Sequence, residues 1–328
     1  MSTAPAAAEQ LFLFDVGVDI SRLRLAQEDF LSAAQAKNTR SAYASSWRCW
    51  CAWCEDAGRE PFPSNPESVG LFVAWCLREK GYRLATVSGH LSAIRSYHLR
   101  RREDSPVDES VRRLLHSAAR RLRERPGGKA ALSPEHVREI SRRIEGDGSR
   151  LSIRNRAILL LGFASGMRRS EIAGLALSDV RFVRRGLIVQ LGATKTDQAG
   201  REGRVVAIMP GRRRVTDPVA ALREWLSVRG RWPGPLFTRL TSGHVVTRQA
   251  ISGDVVRLAV KAGLERIGED PSAYGAHSLR AGMATAAAEH GAPDSSIMQR
   301  GGWRSHRTFL RYVRPARAFA HDAMAGVL

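Results

Sequence analysis

No stretch of this 328-residue chain approaches the ~20 consecutive apolar residues that a helix needs to cross a bilayer. Its most apolar segment, Ala157 to Ala164, reads as a buried helix. A secretory leader is not expected either, because a basic n-region is missing and Leu11-Phe12-Leu13-Phe14 is too short for its core. These absences predict a soluble cytoplasmic protein with no membrane partner. Negative charge is also scarce. Against 52 Lys and Arg stand 32 Asp and Glu, a formal charge of +20. That excess points to a polyanion, DNA or RNA, and to binding that weakens with salt. A DNA-bound protein of this kind would associate with the nucleoid. Cysteine is confined to Cys49, Cys51, Cys54 and Cys76. Cys51 and Cys54 form a CxxC, but tryptophans at helical spacing surround it and no second ligand pair follows. Buried reduced thiols are therefore expected in place of a zinc or redox site. No Walker loop and no carboxylate cluster suited to magnesium is present.

What is there is a helical chain in two parts, with 43% hydrophobic residues to fill their interiors. Residues 1–22 are Ala-rich and read as a flexible arm. Residues 23–125 carry repeated apolar stripes. Thr39 is placed to cap a helix bearing Tyr43, Trp47, Trp50 and Cys54. A proline-rich break precedes Val69, Phe72, Val73 and Cys76. Thr86 is placed to open a helix with Val87, Leu91, Ile94 and His98, and a fourth stripe runs through Val111, Leu114, Leu115, Ala118 and Leu122. Four or five such helices make a small bundle. Residues 126–132 read as a linker, and Ser133-Pro134 starts the next domain with a good N-cap and an N1 proline. That domain, 133–328, is mostly helical with one β signal, Gly186–Leu191 and Arg204–Ile208. The expected class is mainly α with a small antiparallel β element.

The polar sides of the third and fourth stripes are crowded with arginine, including Arg95, Arg100, Arg112, Arg113, Arg120 and Arg121. Too few acids lie four residues away to pair them, so a phosphate-facing surface is favoured over a merely solvated one.

Three boxes carry chemistry. In Gly162–Ile172 an apolar helix stops at glycine and another begins at Ser170-Glu171, which places Arg168 at a buried junction. An arginine there needs a partner or an anion. Glu171 can brace its guanidinium fork toward a phosphate; a structural Arg–Glu pair is the plainer alternative. In His277-Ser278-Leu279-Arg280 the His and Arg share a helix face and can touch one phosphate. The third box, Gly301-Gly302-Trp303, precedes Tyr312 by nine residues counted from the tryptophan. Trp303 offers an N–H donor, and Tyr312 is flanked by Arg311 and Arg314. Nearby guanidiniums lower the cost of a phenolate and of charge on a phosphoryl group.

In the order GMRRSEI, a TKT in a β connection, HSLR, then GGW and a late Tyr, the chain resembles the tyrosine recombinase (phage integrase) family, in particular its simple two-domain Cre- and Xer-like members. The resemblance runs from about residue 24 to the end. It implies a helical core-binding domain and an α+β catalytic domain that clamp DNA. It implies Tyr312 as the nucleophile forming a 3′-phosphotyrosyl bond, with Arg168 and Arg280 on the non-bridging oxygens. Lys195, in Ala193-Thr194-Lys195-Thr196, would protonate the leaving 5′-oxygen. His277 would handle the proton at the nucleophile, Trp303 would donate its indole N–H, and Glu171 would support the site. Neither metal nor cofactor is implied. Partners would be double-stranded DNA with inverted-repeat half-sites and further copies of the chain, as dimer and synaptic tetramer, with the tail from Pro315 docking on a neighbour. An arm-binding domain of the lambda type is not evident. Relatives that share the chemistry without ordered strand exchange, type IB topoisomerases or telomere resolvases, are the nearest alternative. A non-catalytic DNA-binding regulator is the other, disfavoured because no box is missing.

Overall fold

The structure, a computed structural model, describes residues 19, 21–23, 37–123, 129–192 and 203–313. The chain divides into two compact units, residues 1–126 and 127–328. The described part of the first contains helices α1 (Lys37–Asp56), α2 (Pro66–Arg78), α3 (Leu84–Arg100) and α4 (Glu109–Leu122). Asn65 caps α2 by accepting the Ser68 amide, with Pro66 in the first turn. Asp108 caps α4, accepting the Val111 amide at 3.0 Å.

The aromatic stripe of α1 is the heart of this unit. Trp50 and Cys54 are fully buried with Phe72, Val73 and Cys76 of α2 and Val87 and Ile94 of α3. Trp50 stacks on Trp53 at 5.4 Å and meets Phe72 edge-on at 5.1 Å, arrangements worth about 0.5–1.5 kcal/mol each beyond burial. All four cysteines are free thiols. Burial pushes the Cys54 and Cys76 thiols up to about 12, so both are unreactive. His98 joins α3 to the proline-rich break: Nδ1–H donates to the Ile94 carbonyl at 2.9 Å and Nε2 accepts the Ser64 amide at 3.1 Å.

Three local expectations differ from the structure. α1 begins before Thr39 and α3 before Thr86, so both threonines lie inside helices and cap nothing. On α4, Val111 is buried and Leu115 packs on the core, but Leu114 and Leu122 are 40% and 47% exposed. Leu114 lies about 100° around the helix from its neighbour Leu115, off the face that meets the core, and Leu122 is the last residue of the helix.

The second unit contains α5 (Pro134–Glu145), α6 (Arg150–Ser165), α7 (Arg169–Gly174), β1 (Val180–Val183), β2 (Gly186–Leu191), β3 (Arg204–Ile208), α8 (Pro218–Arg229), β4 (Thr238–Leu240), β5 (Val246–Ala250), α9 (Gly253–Arg266), α10 (Ala276–Glu289), α11 (Asp294–Gly301) and α12 (His306–Val313). α6 is the central helix. Ile158, Leu159, Leu160 and Leu161 are all buried, and α5, α8, α9 and α10 pack around it. Strands β1, β2 and β3 form one antiparallel sheet in that order, and β4 and β5 form another. Strands β1 and β4 escape sequence patterning because four and three residues are too few to show an alternation, and β5, Val-Thr-Arg-Gln-Ala, because it holds too few apolar residues. Ser133 caps α5 reciprocally with His136, each side chain accepting the other's amide at 3.2 Å. Residues 129–132, within the span read as linker, are hydrogen-bonded to this unit: the Ala130 amide donates to Ala273 at 2.9 Å and that of Leu132 to Ser278 at 3.1 Å. Among the described residues no helix is long and apolar enough to cross a membrane.

Candidate active site

Two helices of the second unit end at one place. α6 closes on Gly166, at φ +63°, and α11 on Gly302, at φ +69°, both in the left-handed conformation that glycine adopts freely. Helix C-termini expose carbonyls without partners and carry partial negative charge. Arginines answer both needs here. Arg300 Nη1 donates to the Ala164 carbonyl at 2.8 Å. Arg280 Nη1 donates to Gly166 at 2.7 Å and also to Gly301. Arg204 Nη1 reaches the Arg300 carbonyl at 3.1 Å, and Arg168 Nη2 that of Gly302 at 3.4 Å.

Arg168 is the N-cap residue of α7. Glu171 accepts its backbone N–H at 2.9 Å through Oε2 and its Nη1 at 2.5 Å through Oε1. Oε2 of Glu171 also accepts Arg204 Nη2 at 2.8 Å, so one carboxylate, 6% exposed, braces two guanidiniums. Arg169 points elsewhere: it is 55% exposed and pairs with Asp254 at 3.2 Å on the surface. Of the two adjacent arginines, Arg168 alone enters the cluster.

Arg280, on α10, is 2% exposed, and its guanidinium carbon lies 3.6 Å from the centre of the Trp303 ring. Burial, then the charge of Arg168, pushes its pKa down to about 9, so it stays cationic at neutral pH. The indole folds back over Gly301, where a Cβ would lie within 2 Å of the ring. Trp303 in turn packs on Tyr312, ring centres 5.3 Å apart. The Tyr312 hydroxyl lies 2.5 Å from Nε2 of His277, and Thr285 Oγ1 donates to the Tyr312 carbonyl at 3.1 Å, fastening the end of α12 to α10. His277 keeps one edge open to solvent. Even so, packing around its ring, followed by the charges of Arg280 and Arg168, holds its pKa below the ordinary histidine value. The neutral imidazole, as the Nδ1–H tautomer, can accept the phenol hydrogen at Nε2.

His277, Tyr312, Trp303 and Arg280 are in contact in turn, and the carbonyls of Gly301 and Gly302 link Arg280 to Arg168 and its partner Glu171. Lys195 lies outside the described residues. Arg95, Arg100, Arg112, Arg113, Arg120 and Arg121 are all exposed, on α3 and α4 of the first unit; Arg112 has a partner, Glu109 at 3.5 Å, in an exposed pair of little strength. Arg204 and Arg300 belong to the cluster, and motif spacing does not single them out. The only hint in the sequence is that each lies beside a box, Arg204 after the β connection and Arg300 before GGW. Among the described residues no group of three or more His, Cys, Asp or Glu is placed to hold a metal ion. The arrangement offers a phenol with an adjacent proton acceptor, beside guanidiniums suited to an anionic phosphoryl group.

Comparison with known proteins identifies the family of the chain. Residues 130–318 match the phage integrase family. The chain is 29% identical over 308 residues to an integrase/recombinase XerD homolog of Selenomonas ruminantium, covering 92% of this chain and 89% of that one. It is 26% identical over 300 residues to the recombinase Cre of Escherichia phage P1, covering 86% and 85%. Among solved structures, a lambda integrase fragment (residues 75–356), a dimer bound to a COC′ core site, has the same fold with a TM-score of 0.58 at 16% identity, over 92% of this chain and 97% of that one.

Proposed function

The chain belongs to the phage integrase family and is a tyrosine-type recombinase; we propose that it cuts and rejoins duplex DNA at specific sites through a 3′-phosphotyrosyl intermediate. The observation that carries this reading is the 2.5 Å contact between the Tyr312 hydroxyl and His277 Nε2, beside Arg280 and Arg168. The phenol proton passes to His277 as Tyr312 Oη bonds to phosphorus. The bond from phosphorus to the 5′-oxygen breaks, and Lys195 protonates that oxygen. Arg168 and Arg280 hold the non-bridging oxygens, and removing either donor should cost roughly 10²–10³ in rate. Trp303 packs Arg280 in place and supplies an indole donor. Glu171 fixes the aim of Arg168.

Each cleavage stores the phosphodiester energy in the tyrosyl ester, so religation requires neither ATP nor metal. The exposed arginines of α3 and α4 take backbone phosphates of the DNA. Four protomers act on paired inverted-repeat sites, as ordered strand exchange demands.

The test is a suicide-substrate assay with EDTA present. Wild type and Tyr312→Phe are incubated with nicked duplexes carrying candidate inverted repeats from DNA flanking the gene. A covalent protein–DNA band seen with wild type alone is the expected result. Binding without an adduct in wild type would favour a DNA-binding regulator. An adduct in Tyr312→Phe would assign the nucleophile to another residue.

A further inference from the structure

Arg204 has no part in the roles assigned above, yet it is built into the cluster from three sides. One Nη donates to Glu171 at 2.8 Å and the other to the Arg300 carbonyl at 3.1 Å. Gly302 makes room for it: a Cβ there would lie 2.5 Å from Arg204 Nη1. Its Nε is buried and has no hydrogen-bond partner among the described residues. A desolvated, unpaired donor is costly, a burden that a residue serving stability alone has no reason to carry. Arg204 also opens β3 opposite Leu191 at the end of β2, so it closes the connection that contains Lys195.

We propose that Arg204 is a positioning residue for the cleavage step. It holds the Glu171 carboxylate, whose other oxygen holds Arg168, and it pins the base of β3 to the end of α11. It touches no substrate atom. Without it, Glu171 is free to rotate and the Arg168 fork loses its aim at the phosphate. A displacement of about 1 Å in such a group costs on the order of 10²-fold in rate. Gly302, the second glycine of the GGW box, then serves to admit this guanidinium.

The proposal rests on the recombinase reading, and its test separates the two. Single-turnover cleavage is measured for wild type, Arg204→Gln and Arg204→Lys on a phosphodiester suicide substrate. The same is done on a methylphosphonate substrate, in which one non-bridging oxygen is replaced by a neutral methyl. DNA affinity and thermal unfolding are recorded for each. Arg204→Gln should lose roughly 10–100-fold in cleavage rate on the phosphodiester with its DNA affinity unchanged. That defect should shrink by about tenfold on the methylphosphonate, where less charge awaits the guanidinium. Arg204→Lys keeps the charge but lacks the two-armed fork, so it should recover only part of the loss. Wild-type cleavage by Arg204→Gln would overturn the proposal. So would an equal defect on both substrates, or a defect that tracks lost unfolding temperature in both variants, because each indicates a structural role only. A wild type that forms no adduct on either substrate would instead bring down the recombinase reading itself.

Discussion

The hydroxyl of Tyr312 on α12 and Nε2 of His277 on α10 lie 2.5 Å apart, although 35 residues separate them in the chain. In the proposed mechanism this pairing makes the protonation state of His277 the variable that governs Tyr312. Protonation would place a charge in a partly desolvated position and beside the cations Arg280 and Arg168, so the neutral ring persists to lower pH than in a free chain. The single-turnover cleavage rate should therefore hold as pH falls through ~6.5, the ordinary histidine value, and drop only below it. His277→Gln should cleave more slowly by roughly 10²-fold or more and lose this acid limb. A rate already halved at pH 7 in wild type would contradict the assignment.

His90 on α3 is 8% exposed, packs against Phe72 and Tyr82 at 5.8 Å from each, and has no hydrogen-bond partner at either ring nitrogen among the described residues. Burial lowers its pKa. Between the folded and unfolded values the unfolded chain binds more protons. Stability is therefore complete above ~6.5 and is lost as pH falls through the folded value. His90→Leu should remove this part of the acid slope and change stability at pH 7.5 by less than about 1.5 kcal/mol. Urea unfolding at pH 5 and 7.5 reads both quantities, and an unchanged slope would show that His90 is not its source.

Gly282 lies where α10 meets residue 132. A Cβ there would sit 2.1 Å from the Leu132 carbonyl oxygen and 2.8 Å from the Phe163 ring. Gly282→Ala should destabilise by roughly 1–3 kcal/mol, because overpacking against backbone outweighs the gain in helix propensity. Gly89→Ala on α3 is the contrasting case. Nothing lies within 4 Å of its Cβ, and a gain of about 0.5–1 kcal/mol is expected. Thermal unfolding of the two variants should move in opposite directions.

Arg113 and Arg120, both exposed on α4, are proposed to lie on DNA phosphates. If each neutralises one, replacing it with Gln should make the slope of log affinity against log salt shallower by about 0.9 per residue. Cleavage of saturated DNA should not change. An unaltered slope in the double variant would move the phosphate-binding surface elsewhere.

Helix stripes, the cap at Ser133 and the order of the chemical boxes are local properties of the chain and were legible as such, whereas Thr39 and Thr86, read as caps, lie inside their helices. The burial of Trp50 and Cys54, the Ser133 cap and the breaks at Gly166 and Gly302 follow from side-chain periodicity and from glycine's freedom at positive φ. Which residues meet across the fold was not legible. Packing of α10 against both α6 and α11 brings two helix ends together, and the carbonyls at those ends recruit Arg204 and Arg300 alongside Arg168 and Arg280. The choice of Arg168 over Arg169 depends on the turn into α7, and the bond from Glu171 to Arg204 depends on the register of β3. Periodicity likewise identifies apolar residues but not how far around and along a helix the core covers them, which is why Leu114 and Leu122 proved exposed. Lys195 lies outside the described residues. The proposed chemistry is legible in residue types and spacing; the network around Arg168 and Arg280 arises only when distant helix ends, each short of hydrogen-bond partners, are brought into contact.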